Sequence, residues 1–177
     1  MEEARQRVLE RAGRILEPIL DIGTGPGRMA YILAKAGFRL TTLDISKEAQ
    51  EVAKIYAKRY KVLSKIKFIP MDAQKLRFNN GSFSTTISAN LLHDVKNPHR
   101  VMQEMIRVTK PHGKVIVSDL NRKGKDLVNK VYRINKEIHR GKPINLKKIV
   151  EENFRQSRIN FKEYDDGYIT IYIGKKI

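Results

Sequence analysis

Hydrophobic and polar positions alternate along the chain in a way that predicts strands and helices in turn. Short apolar runs predict buried strands, and the segments between them repeat apolar residues every three or four positions, as on one face of a helix. The predicted strands cover residues 15–20, 38–43, 66–71, 83–89 and 114–119. Strands that alternate with helices require a parallel sheet that is covered by helices on both faces.

Capping residues mark the start of two predicted helices. Ser46 precedes one helix, and Asn97 followed by Pro98 precedes another. An N-cap side chain accepts an amide hydrogen bond, and proline fits the first helical turn. A further helix is predicted at 3–13, and one runs from a glycine-rich loop to Gly37. The inward face of the helix after Ser46 is expected to comprise Ala49, Val52, Ala53 and Tyr56.

The last part of the sequence breaks this alternation. Residues 159–173 read as two strands joined near Asp165-Asp166-Gly167, a turn sequence typical of a hairpin. The chain is therefore predicted to be an α/β protein with a doubly wound, mostly parallel seven-stranded sheet and a C-terminal antiparallel hairpin at its edge.

The most informative segment follows the first predicted strand, where residues 20–28 read Leu-Asp-Ile-Gly-Thr-Gly-Pro-Gly-Arg. Glycines at 23, 25 and 27 allow a sharp turn and let a ligand approach the backbone, and the next helix offers unpaired amides. The spacing differs by one position from the dinucleotide fingerprint. Asp21, just ahead of this loop, repels phosphate and attracts a cation. An adenosine cofactor with an amino acid tail and a sulfonium charge therefore fits better than a dinucleotide.

Two further acids follow the next two predicted strands. Asp44 lies 23 residues after Asp21, close to the roughly 20-residue interval at which an acid meets a ribose diol in such folds. Asp72 closes the strand after that. Ligands of open α/β sheets gather at the carboxyl edge of the strands, where these acids converge. The alternative is that Asp44 and Asp72 only cap the turns that follow them.

Several further motifs give the chain a resemblance to class I S-adenosylmethionine-dependent methyltransferases, over about residues 19–120. It is most similar to the branch that includes the ubiquinone and menaquinone C-methyltransferases. The motifs are 71–78 (Met-Asp-Ala-Gln-Lys-Leu-Arg-Phe), 81–83 (Gly-Ser-Phe), 91–94 (Leu-Leu-His-Asp) and 107–113 (Arg-Val-Thr-Lys-Pro-His-Gly). Two positions depart from the family's pattern: Ser84 replaces an acid, and His112 replaces a glycine.

The resemblance implies a Rossmann-like fold, S-adenosylmethionine as co-substrate, and contacts for it at the strand ends. Asp21 is expected to orient the amino group, Asp44 to accept from the ribose hydroxyls, and Asp72 to accept from the exocyclic amine. Ile45 is expected to lie against the adenine. The implied binding residues are Asp21, Gly23, Thr24, Gly25, Gly27, Asp44, Ile45, Asp72, Ala73, Asn90 and Leu91.

One histidine is the candidate catalytic residue. His93 follows the fourth strand, near Asn90 and Leu91, which the resemblance places beside the transferred methyl group. Imidazole is well matched to proton removal near neutral pH, although His93 could instead hold a loop. Asp94 and Asp119 are second choices. No His and carboxylate set has helical ligand spacing, so no metal is expected.

Net charge is the other feature that bears on function. The formal net charge is +17, and residues 122–148 concentrate it as a predicted basic helical insertion or lid beside the acceptor site. A cationic cover favours an anionic partner: a small metabolite, RNA or a membrane surface. A solvated basic helix explains the same charges.

Composition bounds the remaining choices. With 177 residues and 41% hydrophobic content, the chain is expected to form a single domain over 1–177. It has no cysteine and no apolar run of about 18 residues, and its start is unlike a secretory signal; a cytoplasmic location is expected. The absence of Cys and Trp with 31% charged residues indicates a thermophilic source.

These observations favour a methyltransferase that acts on a small anionic molecule. Two alternatives stay open: an RNA methyltransferase, which the charge favours, and a non-catalytic cofactor-binding subunit. The single predicted helix before the first strand favours the last alternative, because larger relatives close the site with additional helices there. Formation of a homo-oligomer is expected to supply the missing cover.

Overall fold

The computed structural model describes residues 2–134 and 144–177. The elements, in chain order, are α1 (Glu2–Ala12), β1 (Ile19–Ile22), α2 (Arg28–Lys35), β2 (Leu40–Asp44), α3 (Lys47–Arg59), β3 (Ile66–Pro70), β4 (Phe83–Ala89), α4 (Pro98–Val108), β5 (Thr109–Leu120), α5 (Arg122–Ile134), α6 (Leu146–Gln156), β6 (Asn160–Asp166) and β7 (Ile169–Lys175). A short 3₁₀ turn, Leu63–Lys65, precedes β3.

The strands form one sheet in the order β3-β2-β1-β4-β5-β7-β6. Strands β1 to β5 are parallel, and β7 pairs antiparallel with both β5 and β6. The chain runs outward from β1 to β3 and then returns to β4 on the other side of β1. In open α/β sheets, ligands bind at such a reversal point. The predicted fold class is confirmed, including the C-terminal hairpin.

Two hydrophobic clusters cover the two faces of the sheet. Successive side chains of a strand point to opposite faces, and β1 shows the division clearly: Ile19 belongs to the cluster that includes α1 and α2, whereas Leu20 and Ile22 belong to the cluster that includes α4 and α6. All four residues of β1 are buried. The rigid central strand therefore fixes the position of the loop that follows it.

Both predicted helix caps are present. The Ser46 side chain accepts a hydrogen bond from the Ala49 amide at 3.0 Å, and the Asn97 side chain accepts one from the Arg100 amide at 3.0 Å. Pro98 is the first residue of α4. These caps set where α3 and α4 begin after the strand-end loops.

Several boundaries differ from the predicted ones. The first strand begins at Ile19 rather than at residue 15, just after Pro18, which has no amide hydrogen to donate to a ladder. Val52 is 53% exposed and does not face inward, because α3 buries Gln50, Ala53 and Ala57 instead. Helix α6 was not predicted.

The predicted basic insertion at 122–148 comprises α5 and the first residues of α6. Residues 135–143, which include Lys136, His139, Arg140 and Lys142, lie outside the described residues. Among the helices that the structure describes, none is long and apolar enough to cross a membrane.

Candidate active site

The glycine loop, residues 23–27, folds back over the end of β2. The amides of Gly23 and Thr24 both donate to the Leu43 carbonyl oxygen at 2.9 Å. Thr24 is buried, and its hydroxyl lies 2.6 Å from that of Thr42. The loop is therefore held by the neighbouring strand before any ligand binds.

The three glycines of this loop face different surroundings. All three have positive φ, which L side chains rarely adopt. A Cβ at Gly23 would lie 3.0 Å from Leu91, and one at Gly27 would lie 2.8 Å from Ala53 of α3. A Cβ at Gly25 would meet nothing within 4 Å. Gly27 thus serves helix packing, and open space lies beside Gly25, where a ligand can approach the backbone.

Asp21 is a fully buried carboxylic acid at the end of β1. Its Oδ2 accepts a hydrogen bond from the Thr42 hydroxyl at 2.6 Å, whereas Oδ1 has no hydrogen-bond partner among the described residues. Burial raises the pKa of Asp21 to about 7, although the Thr42 hydrogen bond and the charge of Arg5 act in the opposite direction. A buried acceptor without a partner is costly. This atom is suited to a cationic donor from a ligand.

Arg5, on α1, is not among the site residues predicted from the sequence. Burial and the charge of Arg28 lower the pKa of Arg5, while the charge of Asp21 raises it. A cation from the first helix therefore lies close to the carboxylate at the end of β1. Neither sequence distance nor motif spacing indicates this proximity, because it arises from the packing of α1 beside α2.

The carboxylates of Asp44 and Asp72 both accept backbone hydrogen bonds that stabilise nearby turns. Asp44 accepts from the Gly25 amide at 2.8 Å and from the Ser46 amide at 3.0 Å. Asp72 Oδ1 accepts from the Gln74 amide at 2.8 Å. Both carboxylates therefore cap turns, as the alternative expected, but this does not decide whether capping is their only role. Capping does not exclude a ligand, because an ionised carboxylate has about four acceptor positions.

A cavity of about 230 Å³ lies between these strand ends. Its lining comprises Gly23, Leu43, Asp44, Ile45, Met71, Asp72, Ala73, Gln74, Leu91, Asp94, Val95 and Lys96. Ile45, one of these lining residues, is 72% exposed. A larger cavity of about 540 Å³, lined in part by Glu17, Arg39 and Lys65, lies at the opposite, amino ends of the strands. Ligands of this sheet type bind at the carboxyl ends, which favours the smaller cavity.

The structure gives His93 a partner. His93 Nδ1 lies 2.6 Å from Asp119 Oδ1, and its amide donates to Asp119 Oδ2 at 3.3 Å. The two residues are 5% and 1% exposed. Burial lowers the pKa of His93, but the hydrogen bond and charge of Asp119 outweigh this effect and raise the pKa above its ordinary value. Asp119 stands at the end of β5, so two strand ends supply this pair.

Asp94 connects this pair with the cavity. Its carboxylate lies 3.4 Å from His93 Nε2, its side chain is 54% exposed, and it lines the cavity, whereas His93 does not. Asn90 adopts a left-handed φ of 59° and donates its amide to the Ser118 carbonyl oxygen at 2.8 Å. This tight turn at the end of β4 directs the chain toward His93. The pair can hold a proton close to Asp94, which lines the cavity.

The predicted site residues thus fall into two groups at one sheet edge. One group lines the cavity, and the other, His93 with Asp119, is buried and is connected to the cavity through Asp94. Five of the predicted binding residues do not line the cavity: Asp21, Thr24, Gly25, Gly27 and Asn90. Within the described residues no cluster of three or more His, Cys, Asp or Glu side chains is arranged to hold a metal ion.

Comparisons of the sequence and the fold with known proteins give consistent results. Residues 20–117 match the family model described as a methyltransferase domain. A ubiquinone biosynthesis O-methyltransferase of Vibrio parahaemolyticus is 33% identical over 117 residues, which cover 65% of this chain and 49% of that protein. A demethylmenaquinone methyltransferase of Renibacterium salmoninarum is 31% identical over 118 residues, covering 66% and 47%. The chain spans about half the length of these curated relatives.

Solved structures share the fold over nearly the whole chain. A protein of Pyrococcus horikoshii OT3 superimposes with a TM-score of 0.78 and 22% identity, covering 99% of this chain and 91% of that one. A SAM-dependent methyltransferase of Aquifex aeolicus gives a TM-score of 0.74 and 17% identity, covering 98% and 89%. These likenesses extend the shared fold beyond the residues of the family match, through the C-terminal hairpin.

Proposed function

This chain belongs to the methyltransferase domain family, and we propose that it transfers a methyl group from S-adenosylmethionine to a small anionic acceptor. The resemblance that the sequence motifs predicted is confirmed. Two observations support the proposal: Asp21 has a buried oxygen without a hydrogen-bond partner among the described residues, and open space lies beside Gly25, four residues further along the chain. An ammonium group that approaches along bare backbone satisfies both features.

The amino acid end of the methyl donor is assigned to the end of β1. Its ammonium donates to Asp21 Oδ1, and its chain passes along Gly23 and Gly25. Arg5 supplies a neighbouring cation that suits the carboxylate of the same tail. The zwitterionic amino acid tail of the donor matches the opposite charges of Asp21 and Arg5 better than a phosphate does.

The nucleoside end is assigned to the ends of β2 and β3. Asp44 keeps its two amide hydrogen bonds and accepts the ribose hydroxyls with its remaining lone pairs. Ile45, which is exposed in the described structure, covers one face of the adenine. Asp72 accepts from the exocyclic amine, and the Ala73 amide donates to the ring. Burial of Ile45 against the base contributes roughly 1 to 2 kcal/mol to binding.

S-adenosylmethionine supplies a methyl group that its sulfonium already makes electrophilic. The protein must align the acceptor with the carbon–sulfur bond, exclude water and remove a proton where the acceptor carries one. His93 is the proposed base. Asp119 holds Nδ1, and Nε2, which lies 3.4 Å from the Asp94 carboxylate, would receive the proton.

The acceptor is proposed to be a small hydroxylated molecule that reacts as an anion. The relatives named above act in ubiquinone biosynthesis or on demethylmenaquinone. Loss of a proton from a ring hydroxyl would produce an anionic nucleophile, in agreement with the positive charge of the chain. Residues 122–148 are proposed to cover the acceptor, as part of a single domain.

The net charge of +17 also favours RNA as an acceptor, because clustered Lys and Arg neutralise phosphates. A non-catalytic subunit that only binds the donor is the remaining alternative. The cytoplasmic location, the thermophilic source and the homo-oligomeric state stay predictions from sequence.

One labelling experiment separates these functions. The protein is incubated with cell extract and S-adenosylmethionine that carries a radioactive methyl group, and the label is followed in low-mass material, RNA and protein. We expect label in low-mass material, and a rate of labelling that is lower by roughly a hundredfold or more when His93→Gln replaces the natural protein. Label confined to RNA would overturn the small-molecule assignment. Donor binding by calorimetry without any labelled fraction would support the non-catalytic subunit.

A further inference from the structure

Helix α5 carries an apolar stripe that the rest of the described chain leaves exposed. Leu127, Val131 and Ile134 are 43%, 47% and 71% exposed. Their spacing of four and three residues places them on one side of the helix. Scattered exposed aliphatic residues are ordinary, but three in line on one helix mark a contact surface.

The orientation of this apolar stripe is fixed by the first turn of α5. The Asn121 side chain accepts from the Gly124 amide at 2.9 Å and donates to Asp165 at 2.7 Å and to the Gly167 carbonyl oxygen at 2.9 Å. Gly124 is buried against Tyr168, with no room for a Cβ. The helix therefore starts clamped to the β6–β7 turn. Val128 packs on the core, whereas the stripe beside it does not.

Cations lie along one edge of the apolar stripe and on other sides of the helix. Helix α5 contains Arg122, Lys123, Lys125, Lys130 and Arg133, with Asp126 as its only acid. Lys123 and Lys130 lie four residues before Leu127 and Ile134, respectively, so that lysines and aliphatic residues alternate along one line of the helix surface. Long lysine stems can lie along apolar surface while the ammonium groups reach outward.

We propose that α5 binds an anionic lipid surface, with the apolar stripe inserted at the boundary of headgroups and acyl chains. An amphipathic helix with lysines beside its aliphatic face has the properties of an interfacial helix. RNA would match the cations but would leave the aliphatic residues in water. A second copy of α5 would cover the aliphatic residues but would bring two strongly cationic helices together. Of these three partners, only an anionic lipid surface matches both the cations and the exposed aliphatic residues of α5.

This binding mode brings the candidate active site near the lipid surface, on the other side of α5. Helix α5 begins three residues after Asp119, and the charge of Lys125 lowers the pKa of His93, which shows how close the helix lies to the proton-holding pair. An acceptor that resides in or on the membrane could then enter without crossing the full aqueous phase. The proposal itself concerns α5 and does not require methyl transfer.

Vesicle flotation tests the proposal directly. We expect the full chain to float with phosphatidylcholine vesicles that contain about one third phosphatidylglycerol, to bind pure phosphatidylcholine vesicles weakly, and to dissociate as salt is raised. The double variant Val131→Gln with Ile134→Gln should lower partitioning by roughly tenfold or more. Circular dichroism and S-adenosylmethionine titration of the variant should be unchanged.

A matched pair on another helix supplies the control. Val52 and Ile55 of α3 are 53% and 70% exposed, three residues apart, and also lie among lysines. The double variant Val52→Gln with Ile55→Gln should bind vesicles as the natural chain does. Equal loss in both double variants, or no loss in the α5 variant, would overturn the proposal. So would a dimer in solution that only the α5 variant dissociates, because the stripe would then be a subunit interface.

Discussion

At the scale of single residues, the buried charge of Asp21 lowers the stability of the ligand-free fold but favours the binding of a cationic ligand. Burial raises its folded-state pKa to about 7 from 3.8. Because the folded protein then holds a proton that the unfolded chain releases, this residue lowers stability as pH rises from about 4 to 7, and the cost is fully present above 7. A cationic ligand group would compensate for the buried charge. Binding of the donor should therefore strengthen over the same pH range.

The Asp21→Asn variant separates the two effects. The amide still accepts the Thr42 hydrogen bond but carries no charge, so the free energy of unfolding without ligand should rise at pH 8, by about 1 kcal/mol or more, and change little at pH 4. S-adenosylmethionine affinity should fall at least tenfold at pH 8. Urea denaturation at both pH values and calorimetric titration measure these quantities. Unchanged affinity together with unchanged stability would remove Asp21 from the site.

His93 and Asp119 should control the pH dependence of turnover. Asp119 raises the pKa of His93, so the basic form exists only above that value and the rate should rise with pH, with a midpoint above 6.5. Asp119→Asn should move the midpoint down, because the charge that raises the pKa is lost. His93→Gln should slow turnover by roughly a hundredfold or more and abolish this limb of the profile.

His99→Gln is the matched control for the pH profile, because His99 lies on α4, and its side chain is 44% exposed. It should leave rate and midpoint unchanged. Steady-state rates from pH 5 to 9 with the identified acceptor provide the measurement. A midpoint that stays in place in Asp119→Asn would show that His93 is not the titrating base.

At the scale of elements, local patterns predicted the central fold well. Strand β4 was predicted with its observed bounds, and the caps Ser46 and Asn97 were predicted from residue type alone. Such features depend on neighbours in sequence. The inward orientation of Val52 was predicted wrongly, because the buried side of α3 is decided by its contacts with the sheet and not by its own apolar residues.

The candidate site likewise combines features that local sequence predicts with features that depend on the packing of distant elements. The acids at the ends of β1, β2 and β3 were predictable, since a parallel sheet gathers its carboxyl ends. The proximity of Arg5 to Asp21, and the 2.6 Å contact between His93 and Asp119, were not. Both depend on how distant elements pack. Asp119 carried a weak signal, as an acid that closes the next strand.

One departure from the family's pattern has a structural consequence. His112 occupies the position where a glycine is usual, and its φ is 62°, a conformation that costs a residue with a Cβ about 1 kcal/mol. His112→Gly should therefore raise the free energy of unfolding, by up to about 1 kcal/mol. Gln103→Gly, at an exposed helical position of α4, should lower it by about 1 kcal/mol. Urea denaturation distinguishes the two signs, and destabilisation by both variants would contradict the prediction.

At the scale of the whole molecule, the site brings together loops that follow four strands of the sheet. The cavity draws residues from the loops after β1, β2, β3 and β4, while the two hydrophobic clusters lie on opposite faces. A ligand that binds only the folded state adds about 2.7 kcal/mol to the free energy of unfolding at a hundredfold excess over Kd. Donor binding should therefore stabilise the domain as one unit.

Calorimetric titration of the folded chain with S-adenosylmethionine is the most direct test of the strand-end site. We expect one donor molecule per chain, similar binding of the demethylated product, and at least tenfold weaker binding in Asp44→Ala, which loses a charged acceptor for the ribose. Asp126→Ala, an exposed acid on α5, should bind as the natural chain does. Absence of binding by a chain whose fold circular dichroism confirms, or equal affinity in Asp44→Ala, would contradict the assignment of this site.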